Sequence, residues 1–393
     1  MSGGMRNRNQ LRTVCIVAIL FTADASAQIY NSTLPLDHPD IAYWTAPVSD
    51  PASKLAREIG PDPLDLPHLL DRLRVPADSQ ALVFSRTSFQ AAKISPRNPR
   101  AVYFNDDVAV AWVRGSEWME VAATDPRQGV IFYQTDGRKF IRSQACLKCH
   151  QGAATQGVPG MFVGSVYPDA SGNPQGGGAI ITDHRTPFAD RWGGWYVTAR
   201  SGEQPDRANG VAEDPAEPFT LNARQNLTNL FREFNPSGYL APVSDIVALM
   251  TFEHQTQMTN LLTRLGWRAR MGQADDADIA SVARYMTFAD EVPLKEPIEG
   301  ISSFTQTFPR RGPFDHRGRT LRQFDLQTRL FRYPLSYMIY SPVVDALPDV
   351  VRDRLYRRLF DDLRGRPAIL EILRDTKKNL PDWWASAMQA AGI

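Results

Sequence analysis

Two hydrophobic rhythms divide this chain, and its fold has to satisfy both. From 81 to 142, short runs rich in Val, Phe, Tyr and Trp stop at turn residues: Arg114-Gly115-Ser116, Asp125-Pro126 and Asp136-Gly137. Such runs suit a pleated, half-buried surface, so strands are expected over 81–84, 101–104, 108–113, 118–123, 130–134 and 139–142. A second strand pair is expected over 162–167 and 179–182, with a long turn over 168–178. A short helical piece over 187–191 and a strand over 195–199 follow. From 221 onward the spacing changes to three and four, through Leu227, Leu230, Phe231 and Phe234, then Val243, Val247, Met250, His254, Met258, Leu261 and Leu265. That is the period of one helix face. Further helices are expected over 276–289, 320–331, 346–363, 367–374 and 381–391. The fold class is therefore α+β. A β-meander part over 28–200 precedes a mainly helical part over 221–393, and 201–220 is a polar, proline-bearing linker or exposed loop. Residues 28–80, proline-rich with helical pieces over 53–59 and 67–73, read as a wrap over the main body.

The last strand of the meander runs into Ser143, placed to cap a short helix. That helix carries Cys146-Leu147-Lys148-Cys149-His150. Two thiols three residues apart reach the vinyl groups on neighbouring edges of one porphyrin, and the next residue falls beneath the iron. The spacing points to one covalent haem c per chain, attached at Cys146 and Cys149, with His150 as proximal iron ligand. A redox dithiol and half of a zinc site share the Cys-x-x-Cys core. Zinc wants four ligands, whereas Cys15 is the one further cysteine and the remaining histidines stand singly. A thioredoxin-type dithiol wants a βαβ setting and has no use for the adjoining histidine.

The N-terminus agrees with haem. Arg6, Arg8 and Arg12 precede a short apolar stretch over 14–21, and Ala25-Ser26-Ala27 is a cleavage signature. This is an export leader over 1–27, with the mature chain expected to begin near Gln28. A periplasmic or secreted location follows, which is where c-type haem is attached. Of 44 basic and 43 acidic residues, only Arg6, Arg8, Arg12 and Asp24 fall in the leader, so the remainder is nearly neutral. That balance gives no basis for nucleic-acid binding. No apolar run after the leader is long enough for an integral membrane segment. The oligomeric state has no signature here.

With this pentapeptide behind an export leader, the chain resembles c-type cytochromes. Gly157-Val158-Pro159-Gly160, the run from Arg191 to Val197 (Arg-Trp-Gly-Gly-Trp-Tyr-Val) and the run from Phe331 to Tyr340 (Phe-Arg-Tyr-Pro-Leu-Ser-Tyr-Met-Ile-Tyr) are similar to bacterial proteins described as cytochrome c domain-containing. The resemblance implies haem carriage at Cys146, Cys149 and His150 and implies no substrate. In a small all-α cytochrome c a helix precedes the motif. Here strands precede it, so a different scaffold is expected.

An electron-transfer haem needs a sixth ligand, usually Met or His. His254 lies on the apolar stripe of the 243–265 helix, and side chains four apart share a face. His254 is the expected distal metal ligand and Met258 the alternative; a hydrogen-bonded core histidine is the plainer reading of that position. His184, at a strand end, and Met161 are further candidates. Arg191, Trp192, Trp195 and Tyr196 are either donors to haem propionates or core residues. Arg310, Arg311, Arg317, Arg319 and Arg322 form either a docking surface for an acidic redox partner or a solvated loop. His38, His68 and His316 read as surface residues. The expected function is electron transfer by an exported mono-haem protein that meets a redox partner protein. A peroxidase-like haem oxidoreductase, or a haem-based sensor with an open distal site, is the alternative.

Overall fold

A computed structural model describes residues 33–393. The export leader, its cleavage near Ala27 and Cys15 lie outside the described residues. Ahead of the meander, α1 (Pro51–Glu58) and α2 (Leu66–Arg72) start at Asp50 and Asp65, whose carboxylates accept the exposed N–H groups of the first turn.

The α+β architecture expected from the two rhythms is what forms. β1 (Ala81–Val83), β2 (Arg100–Phe104), β3 (Val108–Val113), β4 (Met119–Asp125), β5 (Gly129–Thr135) and β6 (Phe140–Arg142) pair antiparallel in chain order. After α3 (Leu147–His150), β7 (Val163–Pro168) and β8 (Pro174–Thr182) make a separate hairpin. β9 (Trp195–Tyr196) then returns to the edge at β1. The result is a seven-stranded sheet in the order β6-β5-β4-β3-β2-β1-β9. The β5–β6 turn needs its glycine: Gly137 sits at φ +87°, and a Cβ there would meet the Leu64 carbonyl oxygen at 2.2 Å.

The helical half begins at α4 (Ile246–Arg270), capped by Asp245, whose Oδ1 accepts Val247 N–H at 2.8 Å and Ala248 N–H at 3.2 Å. α4 is buried along nearly its whole length, polar residues included. It packs against β5 and β7 and also against α5 (Asp276–Met286), α6 (Phe304–Arg310) and α7 (Pro342–Asp345). Its polar side chains tie the two halves together. Gln255 donates to the Asn105 carbonyl at 2.7 Å and accepts from Tyr337 Oη at 2.7 Å, and Asn260 donates to the Met161 carbonyl at 2.8 Å. β10 (Ala199–Arg200) pairs with β11 (Glu299–Gly300), a second tie between the halves. α8 (Asp349–Leu363), α9 (Pro367–Thr376) and α10 (Trp383–Ala390) close the fold, and one hydrophobic core runs through both halves. No helix among the described residues is long and apolar enough to cross a membrane.

Two expected helices do not form, and two other stretches meet their expected description in part. Residues 227–234 are not helical: Asn226 takes a left-handed conformation, and Leu230 N–H donates to the distant Pro242 carbonyl in place of a carbonyl one turn back. Residues 320–331 form a turn, not a helix. Asp325 accepts the Gln327 and Thr328 N–H groups, and Phe324 bridges to Phe331. The apolar spacing there serves an aromatic cluster in which Phe324 stacks on both Phe308 and Phe331. The helix expected over 346–363 forms as α8, starting at Asp349 directly after Pro348. Within 201–220, Gln204, Asp206, Ala208 and Asn209 are buried, and Asn209 bonds both the N–H and the carbonyl of Val197. That part is clamped to the body, whereas residues 213–220 are largely exposed, as expected of a loop.

Candidate functional site

Ser143 N–H continues the sheet ladder by donating to the Phe132 carbonyl, and the chain then turns into α3. Cys146 occupies the helix N-cap without a side-chain cap bond, so Ser143 does not cap α3. Cys149 and His150 N–H groups both donate to the Cys146 carbonyl, at 3.2 and 2.9 Å. That single turn sets the two thiols three residues apart on one face. Both line the same cavity, as does His150. Cys146 is half-buried and Cys149 exposed. Burial pushes the Cys146 thiol above its ordinary value.

His150 is held from behind. Its Nδ1 lies 2.9 Å from the Gly160 carbonyl oxygen, and Gly160 N–H donates back to the His150 carbonyl at 2.9 Å. A carbonyl only accepts, so Nδ1 carries the proton and Nε2 keeps its lone pair. Burial pushes the imidazole pKa down to about 4 and keeps it neutral near pH 7. Phe132 and Phe162 flank the ring, with centroids at 4.8 and 5.3 Å. The loop that delivers Gly160 is fixed by α4: a Cβ on Gly160 would fall 2.0 Å from Asn260 Oδ1.

The cavity measures about 420 Å³, within the range of cofactor sites. Its walls are mainly apolar: Val102, Ala109, Ala111, Val121 and Ala122 from the sheet, Val166 and Ala179 from the hairpin, and Trp195 and Phe252. Three charged side chains join them. Arg100 and Glu120 form an ion pair, and Arg86 stands apart. Among the described residues no group of three or more His, Cys, Asp or Glu side chains is placed to hold a metal ion. A haem needs no such group, because the porphyrin supplies the equatorial nitrogens and the protein need supply only an axial donor.

His254, the expected distal ligand, does not line this cavity. Its Nδ1 lies 2.9 Å from His184 Nδ1, its Nε2 lies 2.8 Å from Ser336 Oγ, and its ring stacks on Tyr285 and Phe288. Both ring nitrogens are thus engaged by protein. His184 belongs to the same buried cluster, and Met258 is core. Met161 does line the cavity. Arg191 and Trp192 are buried and bind Glu253, at 2.6 and 3.0 Å. Trp195 lines the cavity but gives its indole N–H to the Gly164 carbonyl, and Tyr196 gives its hydroxyl to the Pro96 carbonyl. Arg319 and Arg322 pair with Asp315 and Asp106, and Arg317 with Glu371, so much of the arginine run is spent inside the protein. Arg86, Arg100, Glu120 and Glu253 were not singled out by the sequence. Their signal was charge set within or beside apolar runs.

The His184–His254 pair carries a pH prediction. Both imidazoles lie well below the usual histidine range, first because of burial; then Arg185 and Arg191 act on His184, and His184 itself acts on His254. The unfolded chain binds protons below about pH 6.5 while the folded pair stays neutral, so the pair's contribution to stability is lost as pH falls below that value. NMR titration is expected to leave both imidazoles neutral from pH 8 to pH 5. A midpoint near 6.5 for either would refute the assignment.

No protein-family profile, characterised protein or solved structure matches the chain.

Proposed function

We propose that this chain carries one covalent haem c, joined by thioethers at Cys146 and Cys149 and ligated through His150 Nε2. The observation that carries the reading is the His150–Gly160 bond. It commits Nδ1 as donor and leaves a neutral Nε2 free to ligate, on the same helical turn as two thiols that line one apolar cavity. Thioether formation adds each S–H across a vinyl group, with sulfur on one carbon and hydrogen on the other, so it needs no oxidant. When bound, the haem supplies one-electron chemistry or an axial position for a small ligand. The leader over 1–27 fits the export that this attachment requires.

The sixth axial position decides between the functional classes. His254 gives both ring nitrogens to other groups. Met161 directly follows Gly160, whose carbonyl binds the nitrogen of His150 that faces away from the iron. A methionine anchored on that side is poorly placed to reach round a porphyrin to its opposite face. The reading favoured here is an open sixth position, hence a haem-dependent oxidoreductase or a haem-based sensor. Electron transfer to a redox partner protein is the second reading, and the presence of Met161 in the cavity is what favours it.

Optical spectra of the ferrous protein with and without carbon monoxide test this. Ready carbon monoxide binding is expected, and His254→Ala should leave that spectrum unchanged. A ferrous haem inert to carbon monoxide would return the protein to six-coordinate electron transfer, with Met161 as the ligand to replace.

A further inference from the structure

Three charged side chains line a mainly apolar cavity, and two of them neutralise each other. Arg100, on β2, pairs with Glu120, on β4. Arg86, just past β1, has no carboxylate partner among the described residues, yet it is firmly positioned. Its backbone N–H donates to the Gly172 carbonyl at 2.8 Å. Its Nε donates to the Ala91 carbonyl at 2.8 Å, and its Nη1 reaches Asn173 Oδ1 at 3.3 Å. Asn173 is itself held, donating to Asp169 Oδ2 at 3.0 Å. Gly172 permits this close approach: it sits at φ +87°, and a Cβ there would come 2.6 Å from the Phe84 carbonyl oxygen. The guanidinium is thus fixed by two neutral acceptors, with its net charge uncompensated and Nη2 without a partner among the described residues.

A fixed, half-buried cation beside a cofactor-sized apolar cavity calls for an anion, and a guanidinium matches a carboxylate best because its fork donates two parallel bonds. We propose that Arg86 anchors a carboxylate of the group held in this cavity, a haem propionate under the reading above, on which this inference rests. Arg86 is a positioning residue: it orients the macrocycle through its carboxylate and tunes the iron by charge. A positive charge near the iron favours the ferrous state, which carries one positive charge less. The other titratable groups facing the cavity are accounted for. Arg100 and Glu120 offset each other, His150 is the axial donor, Cys146 and Cys149 are the thioether sulfurs, and Tyr133 donates its hydroxyl to Asp50.

The test compares the midpoint potentials of holoprotein carrying Arg86→Gln, Arg86→Lys or Arg97→Gln. Arg97 lines a neighbouring basic cleft that Arg86 also borders, but it does not line the haem cavity. Arg86→Gln is expected to keep the covalent haem and its pyridine haemochrome spectrum. Its preference for the ferrous over the ferric state should fall roughly three- to tenfold. Arg86→Lys, which keeps the charge, should recover most of that loss, and Arg97→Gln should leave the potential near wild type. If Arg86→Gln matches wild type, or if Arg97→Gln shifts the potential as much, the anchor is overturned while the haem reading stands. A wild type without covalent haem overturns the haem reading, and the anchor with it; haem content is measured separately, so the two failures are distinguishable.

Discussion

Replacing both Cys146 and Cys149 by alanine is expected to yield a folded chain from which all haem is removed by acid-acetone. The cost to the fold should be small. Cys149 is exposed, Cys146 is half-buried, and each change removes one sulfur from the edge of a cavity. Substitutions of that kind cost about 1 kcal/mol or less. The effect on haem should be total, because covalent retention depends only on these two sulfurs. A single replacement leaves one thioether and shifts the pyridine haemochrome band toward that of a haem with one unsaturated vinyl group. His150→Ala should behave differently again, since it removes the axial donor and leaves both sulfurs. Mass spectrometry of the intact wild type gives the complementary result, a mass higher by one haem. Extractable haem in the wild type would end the proposal, as would retained haem in the double variant.

Removal of the Glu253 carboxylate should be the most destabilising point change in the helical half. Glu253 is completely buried, accepts from Arg191 at 2.6 Å through one oxygen and from the Trp192 indole at 3.0 Å through the other. Arg191 is also buried, and its remaining nitrogens bond the Thr186 and His184 carbonyls. Glu253→Ala would leave a buried guanidinium without its counter-charge and an indole N–H without an acceptor. Breaking such a pair from one side costs about 3–5 kcal/mol. The desolvation cost of the pair itself is large, so replacing both members by apolar residues should cost less than replacing Glu253 alone. Chemical denaturation of Glu253→Ala, Arg191→Met and the double variant checks this ranking. A loss under about 1 kcal/mol for Glu253→Ala would show that water or a rearranged neighbour satisfies Arg191.

Several elements were legible for local reasons. The meander strands were readable because their apolar runs and turn residues act over a few positions, and β2 to β5 formed close to the expected bounds. The 243–265 helix was readable from its spacing and became α4, started by Asp245 immediately after Ser244. The same spacing failed at 227–234 and 320–331. There the apolar side chains were used by loops whose backbone bonds go to distant carbonyls or to Asp325. Periodicity reports which residues are apolar, and a prolonged turn can bury such residues as well as a helix can.

Within the site, the pentapeptide by itself determined which chemistry is available. Two thiols and an imidazole at that spacing are covalently bound to one short stretch of backbone, so no distant contact is needed to bring them together. Long-range packing decided everything around them. Gly160 is ten residues from His150, and the loop that brings it to the imidazole is held from a distance by Asn260 on α4 and Val130 on β5. His254 carried a good helical address for a distal ligand, but α4 turns it toward His184 and Ser336, where burial and two hydrogen bonds hold it. Arg86, Arg100 and Glu120 meet at one cavity from separate positions along the chain. Local sequence determines which groups can react and which backbone they ride on. Which groups face the same space, and which charge is left without a partner, depends on burial and hydrogen bonding summed over the whole fold.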